Sequence, residues 1–147
     1  MASSKDIRWH QRLNNFKKAL SQLKKFIDKG DKLNELEEQG MIQAFEYSYE
    51  LAWKTLKDFY EYQGESSIQG SKDAFKLAYE RGVITDQDLW RRMLEDRNRT
   101  VHSYNEETAD EIAAAILSEY YPAYEILATK LGEIAQGQLN LFNGGDK

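Results

Sequence analysis

Eleven consecutive residues, Glu95-Asp96-Arg97-Asn98-Arg99-Thr100-Val101-His102-Ser103-Tyr104-Asn105, gather side chains suited to phosphate chemistry. The segment holds His102, one of only two histidines in the chain, the other being His10. Imidazole is the side chain that both takes and gives a proton near neutral pH. Arg97 and Arg99 are permanent cations with planar donors that match phosphate oxygens. Few of these residues suit an apolar core, and a helix end presents them without disturbing packing.

Their spacing constrains how they can meet. At about 100° per residue, Asn98 and His102 lie one turn apart, about 40° apart in angle, and share a helix face. Arg97 and His102 are about 140° apart on a straight helix. Arg97 and Tyr104 are seven residues apart and share a face. A bend near the β-branched pair Thr100–Val101 would bring Arg97, His102 and Tyr104 together. The reading without chemistry pairs Arg97 with Glu95 or Asp96 and leaves His102 as a helix-end residue.

Five helices must position this segment. Trp9, Leu13, Phe16, Leu20, Leu23 and Ile27 recur at spacings of four and three, one apolar stripe that Gly30 closes. The lysines at 17, 18, 24 and 25 fall off that stripe, as a solvated face or as a docking surface for an acidic partner or RNA. Asn34 with Glu37 predicts a capping box. The second stripe follows as Ile42, Phe45, Tyr49, Ala52, Leu56 and Phe59, widened by Tyr47, Trp53, Tyr60 and Tyr62, until Gly64. Glu50 is expected to pair with Lys54, four residues on. Ser71 is expected to cap a short third helix that Gly82 stops. Thr85 with Asp88 caps a fourth. Thr108 with Glu111 caps a last helix, from about residue 109 to about residue 135, with Pro122 expected to kink it. Strand-like alternation and internal repeats are absent from the sequence. The expectation is an all-α, up-and-down bundle of about five helices over residues 1–136, with a flexible tail over 137–147.

Composition limits the function classes. The 147 residues suit one domain with a real core. There is no cysteine, so thiolate nucleophiles and Cys-based metal sites are excluded. Two histidines make a His-rich metal site within one chain improbable on numbers alone, and neither a metal nor a cofactor is expected. The net charge is −5, yet residues 1–29 carry a surplus of +6. Between Arg91 and Arg99 the four arginines Arg91, Arg92, Arg97 and Arg99 outweigh Glu95 and Asp96, a modest footprint for RNA. The longest apolar run, Ile112 to Leu117, is far short of the roughly 20 residues of a membrane span, and a cytoplasmic location is expected.

The pattern Arg-x-x-x-x-His, here Arg97 to His102, resembles the motif of the HEPN superfamily of helical bundles. Extended to Tyr104, it resembles the HepT toxins encoded beside minimal nucleotidyltransferases. The segment from Phe45 to Lys57, FEYSYELAWKTLK, and that from Arg97 to Ala109, RNRTVHSYNEETA, are similar to the nucleotidyltransferase substrate-binding proteins. The likeness runs from about Trp9 to about Leu131.

The resemblance implies a HEPN-like homodimer partnered by a minimal nucleotidyltransferase. In its first form the chain is a metal-independent RNase toxin, with RNA as substrate. His102 is then general base or acid, Arg97 neutralises the phosphorane, and Asn98 orients the phosphate or the imidazole. Arg91, Arg92 and Arg99 would bind the RNA strand. A two-fold dimer would supply both a base and an acid from two copies of His102. Tyr104 would accept AMP from the partner, and the added charge and bulk would silence the cleft. In its second form the chain is a non-catalytic subunit that binds substrate or nucleotide for the catalytic partner, and Arg97 and His102 hold phosphate.

Overall fold

A computed structural model describes residues 4–102 and 105–144, and the side chains of residues 8–101 and 105–139. All described elements are helical: α1 (Ser4–Ile27), α2 (Glu35–Tyr62), α3 (Ser71–Glu80), α4 (Gln87–His102), α5 (Glu106–Ala115) and α6 (Tyr121–Gly144). A 3-10 turn, Gly30–Lys32, follows α1. A π-helical turn, Ile116–Tyr120, joins α5 to α6 without leaving helical backbone, so the two form one long rod and the described residues make five rods.

The apolar stripes build the core as their periods require. Trp9, Leu13, Phe16, Leu20 and Leu23 of α1 are buried against Ile42, Phe45, Ala52, Leu56 and Phe59 of α2. Arg12 at one end of α1 pairs with Asp58 near the far end of α2, so the two helices are antiparallel. Gly40 lets them close, because a Cβ there would meet the Phe26 ring at 3.0 Å. The α5–α6 rod packs along both. Tyr124 donates from its hydroxyl to the Phe45 carbonyl at 3.0 Å, and Phe45 stacks on Tyr120. The short helices α3 and α4 form a hairpin over α2, with Phe75 stacked on Trp90 at 4.4 Å between ring centres. Tyr47 departs from the expected widening of the second stripe and is exposed, whereas Tyr60 is buried.

The helix ends follow local chemistry. The capping box is formed: Asn34 Oδ1 accepts from the Glu37 amide, and Glu37 accepts from the Asn34 amide. Gly64 and Gly82 stop α2 and α3 with φ of +97° and +77°, conformations that a Cβ would strain. Three caps are corrected: α3 begins after Gly70, with no capping bond from Ser71. Asp86, not Thr85, accepts from the Leu89 amide at the start of α4. Asn105, not Thr108, caps α5 by accepting from the Thr108 amide. Asp and Asn reach the second or third amide beyond them more readily than the neighbouring threonines do.

The effect of Pro122 is met by the π turn just before it. Proline has no amide hydrogen, and its ring crowds the carbonyl four residues earlier. The wider π turn moves that carbonyl away.

Helix α6 continues through Gly144, past Gly137. Gln138 fastens it, with its Oε1 3.2 Å from Trp9 Nε1 and 3.0 Å from His10 Nε2. That contact across the bundle offsets the roughly 1 kcal/mol that a mid-helix glycine costs. Residues 145–147 lie outside the described residues. Among the described residues no helix is long and apolar enough to cross a membrane.

Where α2 meets α5 the bundle brings carboxylates together. Glu38 faces Asp110, with Glu106 and Glu35 close by. Burial first, then Asp110, pushes the Glu38 carboxyl from the ordinary 4.5 up to about 7.

Candidate active site

Helix α4 carries the candidate residues, and its neighbours decide what each can do. Arg97 turns toward α2. Its Nη2 donates to Glu50 Oε1 at 2.6 Å, and both side chains keep about a third of their surface exposed, 32% and 29%. Glu50 Oε2 accepts from Trp53 Nε1 at 3.1 Å and lies 3.8 Å from Lys54 Nζ. The expected Glu50–Lys54 pair is thus present but is the looser of the two ion pairs on Glu50. The tighter one spans 47 residues and no local spacing announces it. Arg97 pairs with neither Glu95 nor Asp96, since Glu95 is taken by Arg91, and Asp96 by Arg99 and Tyr120.

The geometry at Arg97 suits an anion site. One nitrogen is anchored on Glu50, which fixes the guanidinium plane, and the remaining donors of the fork have no partner among the described residues. Glu50 is shared with Lys54, so Arg97, Lys54 and Glu50 together retain a net positive charge. Asn98, on the neighbouring position of α4, is exposed and makes no hydrogen bond among the described residues.

The other three arginines of α4 are committed differently. Arg91 pairs with Asp88 and Glu95. Arg92 reaches Asp88 at 3.2 Å and Glu119 of the π turn at 2.8 Å. Arg99 reaches Asp96 at 3.0 Å and Glu111 of α5 at 2.8 Å. Two hydrogen-bonded arginines hold the Asp88 carboxyl below its usual range. Arg92 and Arg99, offered by the sequence as RNA contacts, therefore also clamp α4 to the α5–α6 rod. Tyr120 adds a hydroxyl donated to Asp96, and burial followed by that carboxylate raises its pKa well above the usual phenol value.

α4 stays helical through His102, and Thr100 Oγ1 donates back to the Arg97 carbonyl at 2.7 Å, which satisfies the hydroxyl within the helix. Five positions apart on this continuous helical backbone, Arg97 and His102 are separated by about 140° around its axis. The side chain of His102, and all of Ser103 and Tyr104, lie outside the described residues.

Sequence reasoning missed Glu50 as part of this site. It stands in the FEYSYELAWKTLK segment, but an acidic residue four positions before a lysine reads as an ordinary helix pair.

Comparison with known proteins agrees with this architecture. Residues 11–133 match the family described as nucleotidyltransferase substrate binding protein like. A Haemophilus influenzae protein named probable ribonuclease HepT is 33% identical over 81 residues, which cover 52% of this chain and 56% of that protein. The chain thus spans about half the length of that curated relative. A crystal structure from Thermus thermophilus is similar with a TM-score of 0.71 at 34% identity, over 79% of this chain and 98% of the other. A tri-AMPylated Shewanella oneidensis HEPN toxin, solved in complex with its MNT antitoxin, shares the fold with a TM-score of 0.70 at 18% identity, over 90% of this chain and 99% of the other.

Proposed function

Since the chain belongs to the nucleotidyltransferase substrate binding protein-like family and has the HEPN fold, we propose that it is the toxin of a HEPN/minimal-nucleotidyltransferase pair. In this reading it is a homodimeric, metal-independent endoribonuclease, silenced when the partner transfers AMP to Tyr104. The observation that carries the reading is the half-exposed Arg97 guanidinium, anchored on Glu50 with donors to spare, on the helix that ends at His102. The ribonuclease name of the Haemophilus relative and the antitoxin-bound state of the Shewanella toxin support it.

The chemistry is attack of an RNA 2′-hydroxyl on the adjacent phosphorus. One His102 takes the 2′-hydroxyl proton, and His102 of a second copy gives a proton to the departing 5′ oxygen. Arg97 faces the extra negative charge of the phosphorane, where a fixed donor contributes most. The products are a 2′,3′-cyclic phosphate and a free 5′-hydroxyl. No charge is lost from the balance, because one imidazole gains the proton that the other gives up. AMP on Tyr104, two residues after His102, would place a phosphate where Arg97 and His102 should meet substrate.

The test is incubation of the purified protein with mixed RNA in EDTA, beside Arg97→Ala and His102→Ala. Cleavage by the unaltered chain alone, ending in cyclic phosphates, is the expected result. Folded, dimeric protein that cleaves nothing at any concentration overturns the nuclease and leaves the non-catalytic substrate-binding subunit. For the switch, Tyr104→Phe should escape silencing by the partner, and normal silencing through AMP transfer to that variant would exclude Tyr104.

A further inference from the structure

Of the two cations that share Glu50, Lys54 is the one with donors to give. Its Nζ stands 3.8 Å from Glu50 Oε2, too far for a hydrogen bond, and all three ammonium donors are unbonded among the described residues. The side chain is nevertheless held in place. The ammonium lies 6.0 Å from the centre of the Trp53 ring, within reach of a cation–π attraction. Trp53 is itself partly buried against the core and tied to the same carboxylate by its indole N–H, at 3.1 Å. Lys54 keeps 42% of its side-chain surface exposed, beside the Arg97–Glu50 pair. A helix-surface pair of residues four apart accounts for Glu50 and Lys54 alone. It does not account for Arg97, which arrives from α4 and takes the shorter contact at 2.6 Å. Arg97 and Glu50 sum to zero charge, so the net +1 that this point offers an anion comes from Lys54. The Glu50 carboxylate also shows how the two cations divide an anion, with Oε1 on Arg97 and Oε2 on Lys54. A phosphodiester has two free oxygens and one negative charge, and it suits the same division.

We propose that Lys54 is a second phosphate-contacting residue of the site: its ammonium shares with Arg97 the phosphodiester of the RNA strand that is cut, and Glu50 holds the two cations side by side without mutual repulsion. Binding then takes the group of Arg97, Lys54 and Glu50 from +1 to neutral. At a doubly charged phosphorane the same group carries −1, where without Lys54 it would carry −2, and the lysine therefore favours both the bound strand and its transition state. The assignment rests on the reading of Arg97 as a phosphate site. It adds a substrate contact from α2 to a candidate site whose other substrate contacts lie on α4.

The test uses the full-length protein with a single-stranded RNA and its uncleavable 2′-O-methyl counterpart, each over a series of salt concentrations. The variants are Lys54→Ala, Lys54→Arg and, as a control, Lys130→Ala, an exposed lysine of α6. Lys54→Ala should raise KM about tenfold and weaken binding of the uncleavable strand by a similar factor. It should also reduce the salt slope of binding by about 0.7, the share of one neutralised phosphate on a single strand. The fall in kcat should be smaller than the rise in KM. Lys54→Arg should recover most of the loss, because it keeps the charge. Lys130→Ala should match the unaltered chain, and melting temperatures should agree across the set. Unchanged KM, binding and salt slope in Lys54→Ala overturn the proposal and leave the nuclease. So does an equal loss in Lys54→Arg, which would make packing on Trp53 the cause, or in Lys130→Ala, which would make overall charge the cause. Binding that depends on the Lys54 charge, in a protein that cuts no RNA, removes the nuclease and leaves the phosphate contact. A folded chain that neither binds nor cuts the strand overturns both.

Discussion

Two seams of α4 use the same residue type in opposite ways. Along the seam with the α5–α6 rod, Arg92 and Arg99 each lie between two carboxylates, and their charge is spent inside the molecule. Along the seam with α2, Arg97 meets one carboxylate that is already shared with Lys54 and Trp53. The first arrangement fixes the helix in place. The second fixes a guanidinium in orientation and leaves it charge to offer. Counting arginines in the sequence cannot separate these roles, since the partners come from α2, the π turn and α5.

The largest effect should come from the α2 seam. Arg97→Ala or His102→Ala is expected to lower RNA cleavage about a hundredfold or more, as loss of a transition-state donor or of a proton-transfer group does. Thermal melting should barely move. Arg99→Ala should keep cleavage within a few-fold, and an equal loss from Arg99→Ala and Arg97→Ala would erase the contrast between the seams.

Glu50→Gln sharpens the same contrast. It keeps the shape of the side chain but removes the charge that orients Arg97. The expected result is about a tenfold lower kcat, a smaller effect than removal of Arg97 itself. Full activity in this variant would show that Arg97 needs no anchor.

On the other seam, Tyr120→Phe removes the hydroxyl donated to Asp96. It should cost about 1 kcal/mol of stability in denaturant unfolding and leave the cleavage rate alone.

The contact of α2 with α5 offers the smallest effect, and its sign is set by the raised carboxyl of Glu38. The folded value of about 7 exceeds the ordinary 4.5. The protonated form is thus favoured in the fold, and this contribution is complete below about pH 4.5 and lost as the pH rises through 7. Melting temperature should fall across that window, and Glu38→Gln should flatten the fall. An unchanged slope in the variant would assign the pH dependence to other groups.

The parts of this molecule that obey a local period were legible in the sequence. The stripe from Trp9 to Leu23 is buried at every expected position, and Asn34 with Glu37 forms its capping box. The all-helical bundle follows from those periods. What escaped notice depends on distant partners. Glu50 reads as a helix-surface residue until Arg97 arrives from α4. Gln138 of α6 meets Trp9 and His10, 129 and 128 positions away, which no local period announces. Thr85 and Thr108 lost their capping roles to Asp86 and Asn105, because adjacent polar residues compete for the same amides and small differences in reach decide. The candidate motif was legible as a cluster of residue types, while the direction in which Arg97 points was not.

The π turn between α5 and α6 has a consequence for chain length. Such a turn holds one residue more than an α-helix of the same rise. Removing a residue elsewhere in a helix swings everything beyond it by about 100° and turns the buried face outward. At Ile116–Tyr120 the same deletion would instead close the turn, and α6 would keep its face toward the core. Glu119 and Tyr120 would lose the offset with which they reach Arg92 and Asp96. The bundle can therefore lose one residue at this point and still fold, at the expense of the grip on α4.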